Sequence, residues 1–261
     1  MFHIRLFDGL RSFWGRVGLA LTAAVLLTTA AALAGSLLEQ RRGRGVFLEP
    51  NLAYDGRFTF ARVRYSNYYG SGWEYDYPFM ERHLMTMMEE ITALAPHVAG
   101  SNVHTLDDPD LLLYPIAYLS EPGYWVPSEA EVEGLRTYLA KGGFLIVDDF
   151  MRSEWFNFES QIRRVLPDAT IDRLELDHPV FHSFFEIETL DMPYPGNAYL
   201  RAEFMGIHEA NDPSKRLMVV INYNNDIGDY MEWSLDGIWP VDITNEAYKF
   251  AINYIIYGLT H

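Results

Sequence analysis

Two adjacent aspartates that follow a short apolar run are the clearest candidates for chemistry in this sequence. Asp148 and Asp149 come directly after residues 144–147, a wholly apolar run typical of a central strand covered on both faces. Carboxylates at such a strand end can ligate hard cations or act as a general base, because burial and mutual repulsion raise the pKa of one of them. Successive strand side chains point opposite ways, so the two need not face the same site, and we expect one of them to cap the helix that follows. Both roles stay open.

Other polar side chains stand at the ends of other predicted strands. In an open parallel sheet, ligands bind beyond the carboxyl ends of the strands, where the strand order reverses. The residues placed there are Tyr65, Ser66 and Asn67, then Ser120 and Glu121, then Asn222, Asn224, Asn225 and Asp226. We expect these groups to converge with the two aspartates on one crevice, and the candidate ligand-binding residues are Tyr65, Asn67, Trp73, Glu121, Asn222 and Asp226.

Aromatic residues crowd the loop that follows the first predicted strand. They are Tyr65, Tyr68, Tyr69, Trp73, Tyr75 and Tyr77. Aromatic side chains on a loop can stack on sugar rings or bury the surface of a partner protein. The alternative is a lid packed on the core of the domain itself, and the sequence does not decide between the two.

The spacing of potential metal ligands along the sequence gives little support for a metal site. His178 and His182 are four residues apart, but Pro179 breaks the helix that would bring both to one zinc ion. Residues 222–229 carry oxygen-bearing side chains at alternating positions, yet they lack the early Asp and the downstream Glu of a calcium loop. A turn is expected there, and neither a metal nor a cofactor is predicted.

The scaffold that must position these residues is predicted to alternate strands and helices. The apolar pattern predicts strands over 58–65, 111–118, 144–147, 170–174 and 216–222, an extended segment over 184–187, and helices over 78–94, 127–139, 154–166 and 246–259. Ser128 with Glu131 three residues later forms a capping box for the second helix. Such repeated units predict an α/β fold, an open parallel sheet with helices on both faces.

An uncharged apolar stretch at residues 17–38 predicts export. Three arginines precede it: Arg5, Arg11 and Arg16. At 1.5 Å per residue the stretch is long enough to cross a hydrocarbon layer of about 30 Å, while Ala32 and Ala34 suit a signal-peptidase site. We expect the chain on the periplasmic side of the cytoplasmic membrane, either anchored through residues 17–38 or released after cleavage near Ala34.

Domain organisation follows from this division of the chain. Residues 1–38 are a signal peptide or transmembrane anchor, residues 39–57 a linker, and residues 58–261 one folded domain preceded by the hydrophobic helix. The chain has 36 acidic and 20 basic residues, a net charge of −16 at pH 7, which repels nucleic acid and anionic lipid headgroups. A basic protein partner is compatible with this charge, and nucleic acid is not expected as one.

Several stretches of the sequence resemble the bacterial family known as domain of unknown function 4159. They are residues 64–67, 76–79, 142–150, 178–181 and 228–229. That family is similar to the class I glutamine amidotransferase-like fold, which includes trehalose-utilisation-type proteins. The resemblance, over roughly residues 58–261, implies a flavodoxin-like sheet and no established activity. Glutamine amidotransfer needs a Cys nucleophile and is excluded, because the chain has no Cys, and the nearest serine, Ser71, lacks a Gly-x-Ser-x-Gly elbow.

Two functions are therefore expected as alternatives. The first is a non-enzymatic binding or assembly module, associated with the membrane, that presents its acidic domain to a partner protein. The second is a periplasmic hydrolase or carbohydrate-processing enzyme in which Asp148 or Asp149 acts with His182 at the carboxyl ends of the strands. A hydrogen bond between an aspartate and a histidine in an enclosed polar pocket would favour the enzyme.

Overall fold

A seven-stranded sheet forms the centre of the fold in the computed structural model, which describes residues 48–66 and 72–261. Its strands are β1 (Ala61–Val63), β2 (Asn102–His104), β3 (Ile116–Ser120), β4 (Phe144–Phe150), β5 (Asp172–Arg173), β8 (Glu203–His208) and β9 (Leu217–Tyr223), while β6 (Pro193–Tyr194) and β7 (Asn197–Arg201) pair separately. The order across the sheet is β2-β1-β3-β4-β9-β8-β5.

Five neighbouring strands of this sheet are parallel. Their order, β2-β1-β3-β4-β9, is the order of flavodoxin-like sheets, in which the connection reverses direction between β1 and β3. The predicted α/β fold is confirmed. The sheet is not wholly parallel, however, because β8 runs antiparallel to β9 and β5 runs antiparallel to β8.

Helices cover both faces of the sheet. They are α1 (Phe79–Ile91), α2 (Glu129–Ala140), α3 (Glu154–Val165), α4 (Ile227–Glu232) and α5 (Val241–Thr260). Because side chains alternate along a strand, Phe144 and Ile146 of β4 join the core under α1, α4 and α5, while Leu145 and Val147 join the core under α2 and α3. The central strands are therefore buried on both sides.

The predicted boundaries hold where the local signal is strong. Ser128 Oγ accepts a hydrogen bond from Glu131 N (3.2 Å) and the Glu131 carboxylate accepts one from Ser128 N (2.8 Å), which is the predicted capping box. The strand predicted over 111–118 is wrong in its first half. Pro109–Leu113 form a 3₁₀ helix, because Pro109 suits the first helical position and the Asp108 carboxylate caps it by accepting from Asp110 N.

Glu49–His261 form one compact unit, and its first residues, 49–57, contain no helix or strand. The predicted signal peptide or anchor at residues 1–38 lies outside the described residues. Of the helices in the described part of the chain, none is long and apolar enough to cross a membrane.

Candidate functional site

The carboxyl ends of the parallel strands bring several of the candidate residues together. The Tyr65 hydroxyl, just past β1, donates to the backbone carbonyls of Glu121 (2.6 Å) and Ser120 (3.1 Å) at the end of β3. Ser120 Oγ donates in turn to Asp149 Oδ2 on β4 (3.3 Å). These residues lie at the carboxyl ends of the strands, where the strand-end rule places a site, and Tyr65, Ser120 and Asp149 are buried there.

Asp148 has its hydrogen bonds satisfied within the fold. It is fully buried, and its carboxylate accepts from the Tyr118 hydroxyl (2.8 Å), from Asn222 Nδ2 (3.0 Å) and from Gly228 N (3.0 Å). The Asn222 carbonyl oxygen accepts from the Tyr254 hydroxyl (2.9 Å), so both ends of that amide are also paired. Asp148 and Asn222 are therefore structural ties between strands and helices.

Helix capping occurs at a different helix from the one expected. The helix that follows β4 is α3, and its first turn receives no cap from Asp148, Asp149 or Ser153. Asp148 instead accepts from the first turn of α4, far along the chain, because both lie at the same sheet edge. The segment expected as a turn also continues into α4, with Asp226 Oδ1 accepting from Asp229 N (2.8 Å) as its cap.

Three other aspartates form what we call the carboxylate cluster. Asp76, Asp149 and Asp226 each offer a carboxylate oxygen within 4.8 Å of the others, and they are only 8%, 5% and 7% exposed. Asp149 and Asp226 were expected from their strand-end positions. Sequence reasoning missed Asp76, because it lies well past the end of β1 in the aromatic loop, and only its place in a family-like stretch could have marked it.

Burial raises the pKa of every member of the carboxylate cluster, and the negative charges of the neighbouring carboxylates raise it further. The pKa of Asp149 rises to about 7. Burial and the charge of Asp149 raise the pKa of the adjacent Glu121 to about 9. These carboxyl groups therefore hold their protons to higher pH than exposed ones, and ionising all of them together is unfavourable unless something positive is bound.

Arg62 on β1 is the buried cation nearest this cluster. Its guanidinium is bound to the Glu81 carboxylate and also donates to the backbone carbonyls of Trp73 and Tyr75 (2.8 Å each). These two bonds hold the loop in place directly before Asp76. The charge of Arg62 also lowers the pKa of Asp76, and Arg62 Nη2 has no hydrogen-bond partner among the described residues.

One oxygen of the cluster has no partner in the described part of the chain. Asp76 Oδ2 is buried and accepts no hydrogen bond there. A Cβ atom at Gly228 would lie 2.6 Å from this oxygen and 2.9 Å from the Tyr118 hydroxyl, so α4 can approach Asp76 only with glycine at this position. A buried oxygen without a partner costs free energy, and it marks a place where a ligand would be stabilised.

Several residues at the same sheet edge have positive φ angles. Asp76, Glu121, Asp149 and Asn224 have φ angles of 64°, 51°, 62° and 54°. Asp and Asn tolerate this left-handed region, whereas Glu121 carries the larger cost, of order 1–3 kcal/mol. Such outliers concentrate at functional sites.

Among the described aromatic residues of this loop, Trp73 and Tyr77 pack inward, whereas Tyr75 is exposed. Trp73 packs near Tyr77, with ring centroids 6.4 Å apart, and contributes to the core under α2 and α3. These contacts favour the lid over an open stacking surface for those two residues. Asn67 and Ser71 lie outside the described residues. An aromatic from elsewhere, Tyr194 on β6, reaches the cluster and donates to Asp149 Oδ1 (3.4 Å).

His182 does not join Asp148 or Asp149, contrary to the expected aspartate–histidine pair. Its ring nitrogens bond to the Glu186 carboxylate and to the Leu176 carbonyl. The reason is the 3₁₀ turn Pro179–Phe181, which Asn253 of α5 ties down by donating to the Phe181 carbonyl (2.8 Å). Its neighbour His178 bonds to His208 (Nε2 to Nε2, 3.2 Å), a pair that the sequence did not indicate.

The sheet and the candidate site both lie within the residues that one family model matches. The family model described as Domain of unknown function (DUF4159) matches residues 59–259. The chain belongs to the DUF4159 family. Every residue of the carboxylate cluster is inside the DUF4159 region, and the family-like stretches named from the sequence supply Asp76, Asp149 and Gly228. Comparison with curated proteins finds no match.

The buried ion pair yields the first test. Arg62→Met leaves Glu81 buried without a counter-ion and frees the two loop carbonyls, so we expect the free energy of unfolding in urea to fall by about 3–5 kcal/mol. The double variant Arg62→Met/Glu81→Met should lose less free energy of unfolding than Arg62→Met alone. Arg163→Met, in an exposed pair with Glu159, is the control and should cost under about 1 kcal/mol. Equal losses in the single and double variants would contradict this account.

Repulsion within the carboxylate cluster yields the second test. In EDTA at pH 8, Asp149→Asn should raise Tm by roughly 3–6 °C, because it removes one buried charge and Asn tolerates the same backbone conformation. The raised pKa of about 7 means that the destabilising charge is lost as the pH falls, so the gain should shrink at pH 5. The exposed Asp242→Asn should change little at either pH. A lower Tm for Asp149→Asn at pH 8 would refute the repulsion.

Proposed function

We propose that the folded domain is an exported binding module that holds a hard divalent cation at the carboxylate cluster. The observation that carries the proposal is that three buried aspartates place oxygens within 4.8 Å of one another while Asp76 Oδ2 lacks a hydrogen-bond partner in the described residues. Carboxylate oxygens are the preferred ligands of Ca²⁺, Mg²⁺ and Mn²⁺. A bound cation would stabilise the ionised carboxylates, whose pKa values burial, and then mutual repulsion, raise.

The local sequence predicts no metal, and the reason for the difference is geometric. Asp76, Asp149 and Asp226 come from three separate stretches of the chain, so no ligand spacing links them. Only the fold places them together.

Three carboxylates leave part of the coordination sphere of such an ion open. Ca²⁺ takes 6–8 oxygen ligands and Mg²⁺ takes six in general. The remaining positions would be filled by water or by oxygen atoms of a bound molecule. The ion would thus form the polar centre of a binding site, with Glu121 and Tyr194 beside it.

We place this module on the periplasmic side of the cytoplasmic membrane, anchored through residues 17–38 or released after cleavage near Ala34. The uncharged stretch after three arginines supports export, and a chain without Cys is indifferent to an oxidising compartment. The net charge of −16 supports a protein partner with a basic surface.

A carboxylate-based hydrolase is the second candidate. The observation in its favour is the open coordination of the proposed ion, because a divalent cation lowers the pKa of a bound water and generates a nucleophile. His182 would take no part in this version. Ion-dependent hydrolysis of p-nitrophenyl glycosides or esters that Asp226→Asn abolishes would favour the enzyme over the binding module.

Cation binding is the third test. Adding about 1 mM CaCl₂, MgCl₂ or MnCl₂ to EDTA-treated protein should raise Tm by roughly 5–10 °C for the ion that binds, as expected when its concentration is about 100 times Kd. Asp226→Asn, which retains an oxygen to cap α4, should abolish the rise and the heat of binding in calorimetry. Asp242→Asn should bind as the wild type does. No response to any of the three ions would refute the proposal.

Membrane association is the fourth test. The full chain expressed in a bacterium should sediment with the inner membrane or be found in the periplasm, with the folded domain open to protease in spheroplasts. Intact mass spectrometry then separates an anchored chain from one that starts near Gly35. Deleting residues 17–38 should leave the protein in the cytosol. A full-length wild-type chain dissolved in the cytosol would overturn the assignment.

A further inference from the structure

Two histidines meet at the edge of the sheet opposite the carboxylate cluster. His208 is the last residue of β8 and pairs with Leu217 at the start of β9, whereas Asp149 lies near the carboxyl end of β4. His178 directly precedes the 3₁₀ turn Pro179–Phe181, and its Nε2 lies 3.2 Å from Nε2 of His208. We call these two residues the histidine pair.

The hydrogen bonds of the histidine pair determine which ring nitrogens carry protons. His178 Nδ1 accepts from Val180 N (3.1 Å), so this nitrogen is unprotonated and the proton of the neutral ring is on Nε2. That Nε2–H donates to His208 Nε2, which places the His208 proton on Nδ1, 3.8 Å from an oxygen of Asp172. Both unprotonated nitrogens already accept a hydrogen bond, so neither ring can take up another proton without losing one.

We propose that the histidine pair is an acid-sensitive device that holds the turn Pro179–Phe181 against β8 near neutral pH and releases it as the pH falls. A proton added to His178 Nδ1 would oppose Val180 N–H, and one added to His208 Nε2 would oppose the N–H of His178. Either proton replaces a hydrogen bond with a contact between two donors. The inference is independent of the proposed cation.

Burial makes protonation of the histidine pair unfavourable while the turn is in place. Burial, and then the charge of His208, lower the pKa of His178 to about 4, and His261 at the end of α5 acts in the same direction. Burial also lowers the pKa of His208, which is only 2% exposed. The other titratable groups that face the pair are Asp177 on the same segment, Asp172 on β5 and Asp212 after β8, which favour protonation without reversing the shifts, and Tyr257 of α5, whose ring lies 6.1 Å from that of His178.

The turn that the pair holds covers part of the core. Phe181 is fully buried and packs edge-to-face on Phe204 of β8 and Phe250 of α5, with ring centroids 5.5 and 5.8 Å away. Asn253 of α5 accepts from the amides of residues 184 and 185, and these bonds contain no titratable group. The acid-sensitive part is therefore the start of the segment, at residues 178–182.

The direction of the effect follows from the lowered pKa. An ordinary histidine has a pKa of about 6.5 and His178 in place one of about 4, so the released state binds more protons between these two values. The contribution of the pair to stability is complete above about pH 6.5 and is lost as the pH falls toward 4. For His178 alone, release of the turn should be favoured about 30-fold more at pH 5 than at pH 7.5.

Amide hydrogen exchange in the full chain, purified in detergent micelles, tests the inference. The amides of Phe181 and His182 bond to the carbonyls of His178 and Pro179. We expect them to lose about 30-fold in protection between pH 7.5 and pH 5, after correction for the intrinsic exchange rate, while amides in α2 keep theirs. In nuclear magnetic resonance the His178 ring should titrate near pH 4, with Nδ1 unprotonated at pH 7.5.

Two variants separate the pair from other titrating groups. His178→Asn/His208→Gln removes both rings, while Asn can still accept from Val180 N, so its protection should change little with pH. His182→Gln is the control, because His182 bonds elsewhere, and it should keep the wild-type ratio within about twofold. If the double variant does not fold, His178→Asn alone should lower the ratio.

Three results would overturn the inference. They are a wild-type protection ratio near 1, titration of His178 near its ordinary pKa, and an unchanged ratio in the variant that lacks the pair. An equal loss of protection in α2 would indicate global unfolding in acid and would overturn it as well.

Discussion

The constraint on which the structure depends is the burial of negative charge at one edge of a parallel sheet. In the described part of the chain, Arg62 is the only buried arginine or lysine; its Nε and Nη1 donate to Glu81 and to two loop carbonyls, and its Nη2 has no hydrogen-bond partner there. The aspartates at this edge must therefore be stabilised by hydrogen bonds, by taking up a proton or by a bound cation. Asp148 follows the first route, with three donors. In the carboxylate cluster, Asp149 and Asp226 accept hydrogen bonds from side chains or backbone, whereas Asp76 Oδ2 accepts none from the described residues.

Asp148 and Asp149 lie at the same strand end but differ in role: Asp148 stabilises the fold, and Asp149 belongs to the candidate site. Asp148 faces the core under α1, α4 and α5, where Tyr118 and Asn222 hold it and where it fixes the start of α4. Asp149 has a left-handed backbone conformation, and its carboxylate accepts a hydrogen bond from Ser120. The structural aspartate thus places α4, and α4 carries Asp226 toward the cluster that Asp149 joins. The hydrogen bonds of Asp148 that stabilise the start of α4 therefore also position Asp226 of the candidate site.

Sequence patterns predicted the elements that carry strong local signals and missed the rest. The capping box and the apolar run 144–147 located α2 and β4 closely, because periodic burial and capping are encoded within a few residues. The antiparallel strand β8 and the short helix α4 depend on tertiary pairing and were missed. Within the site, the strand-end rule found Asp149 and Asp226. It could not find Asp76, because a loop position depends on distant contacts such as those of Arg62.

Because α4 comes late in the chain, the carboxylate cluster can be completed only after most of the chain has been made. A nascent chain that ends before Asp226, the cap of α4, lacks one of the three carboxylates of the carboxylate cluster, so the cluster is incomplete while the preceding residues are being translated. A cation at the proposed site would therefore be acquired only after the last third of the polypeptide has folded, in the compartment in which folding finishes.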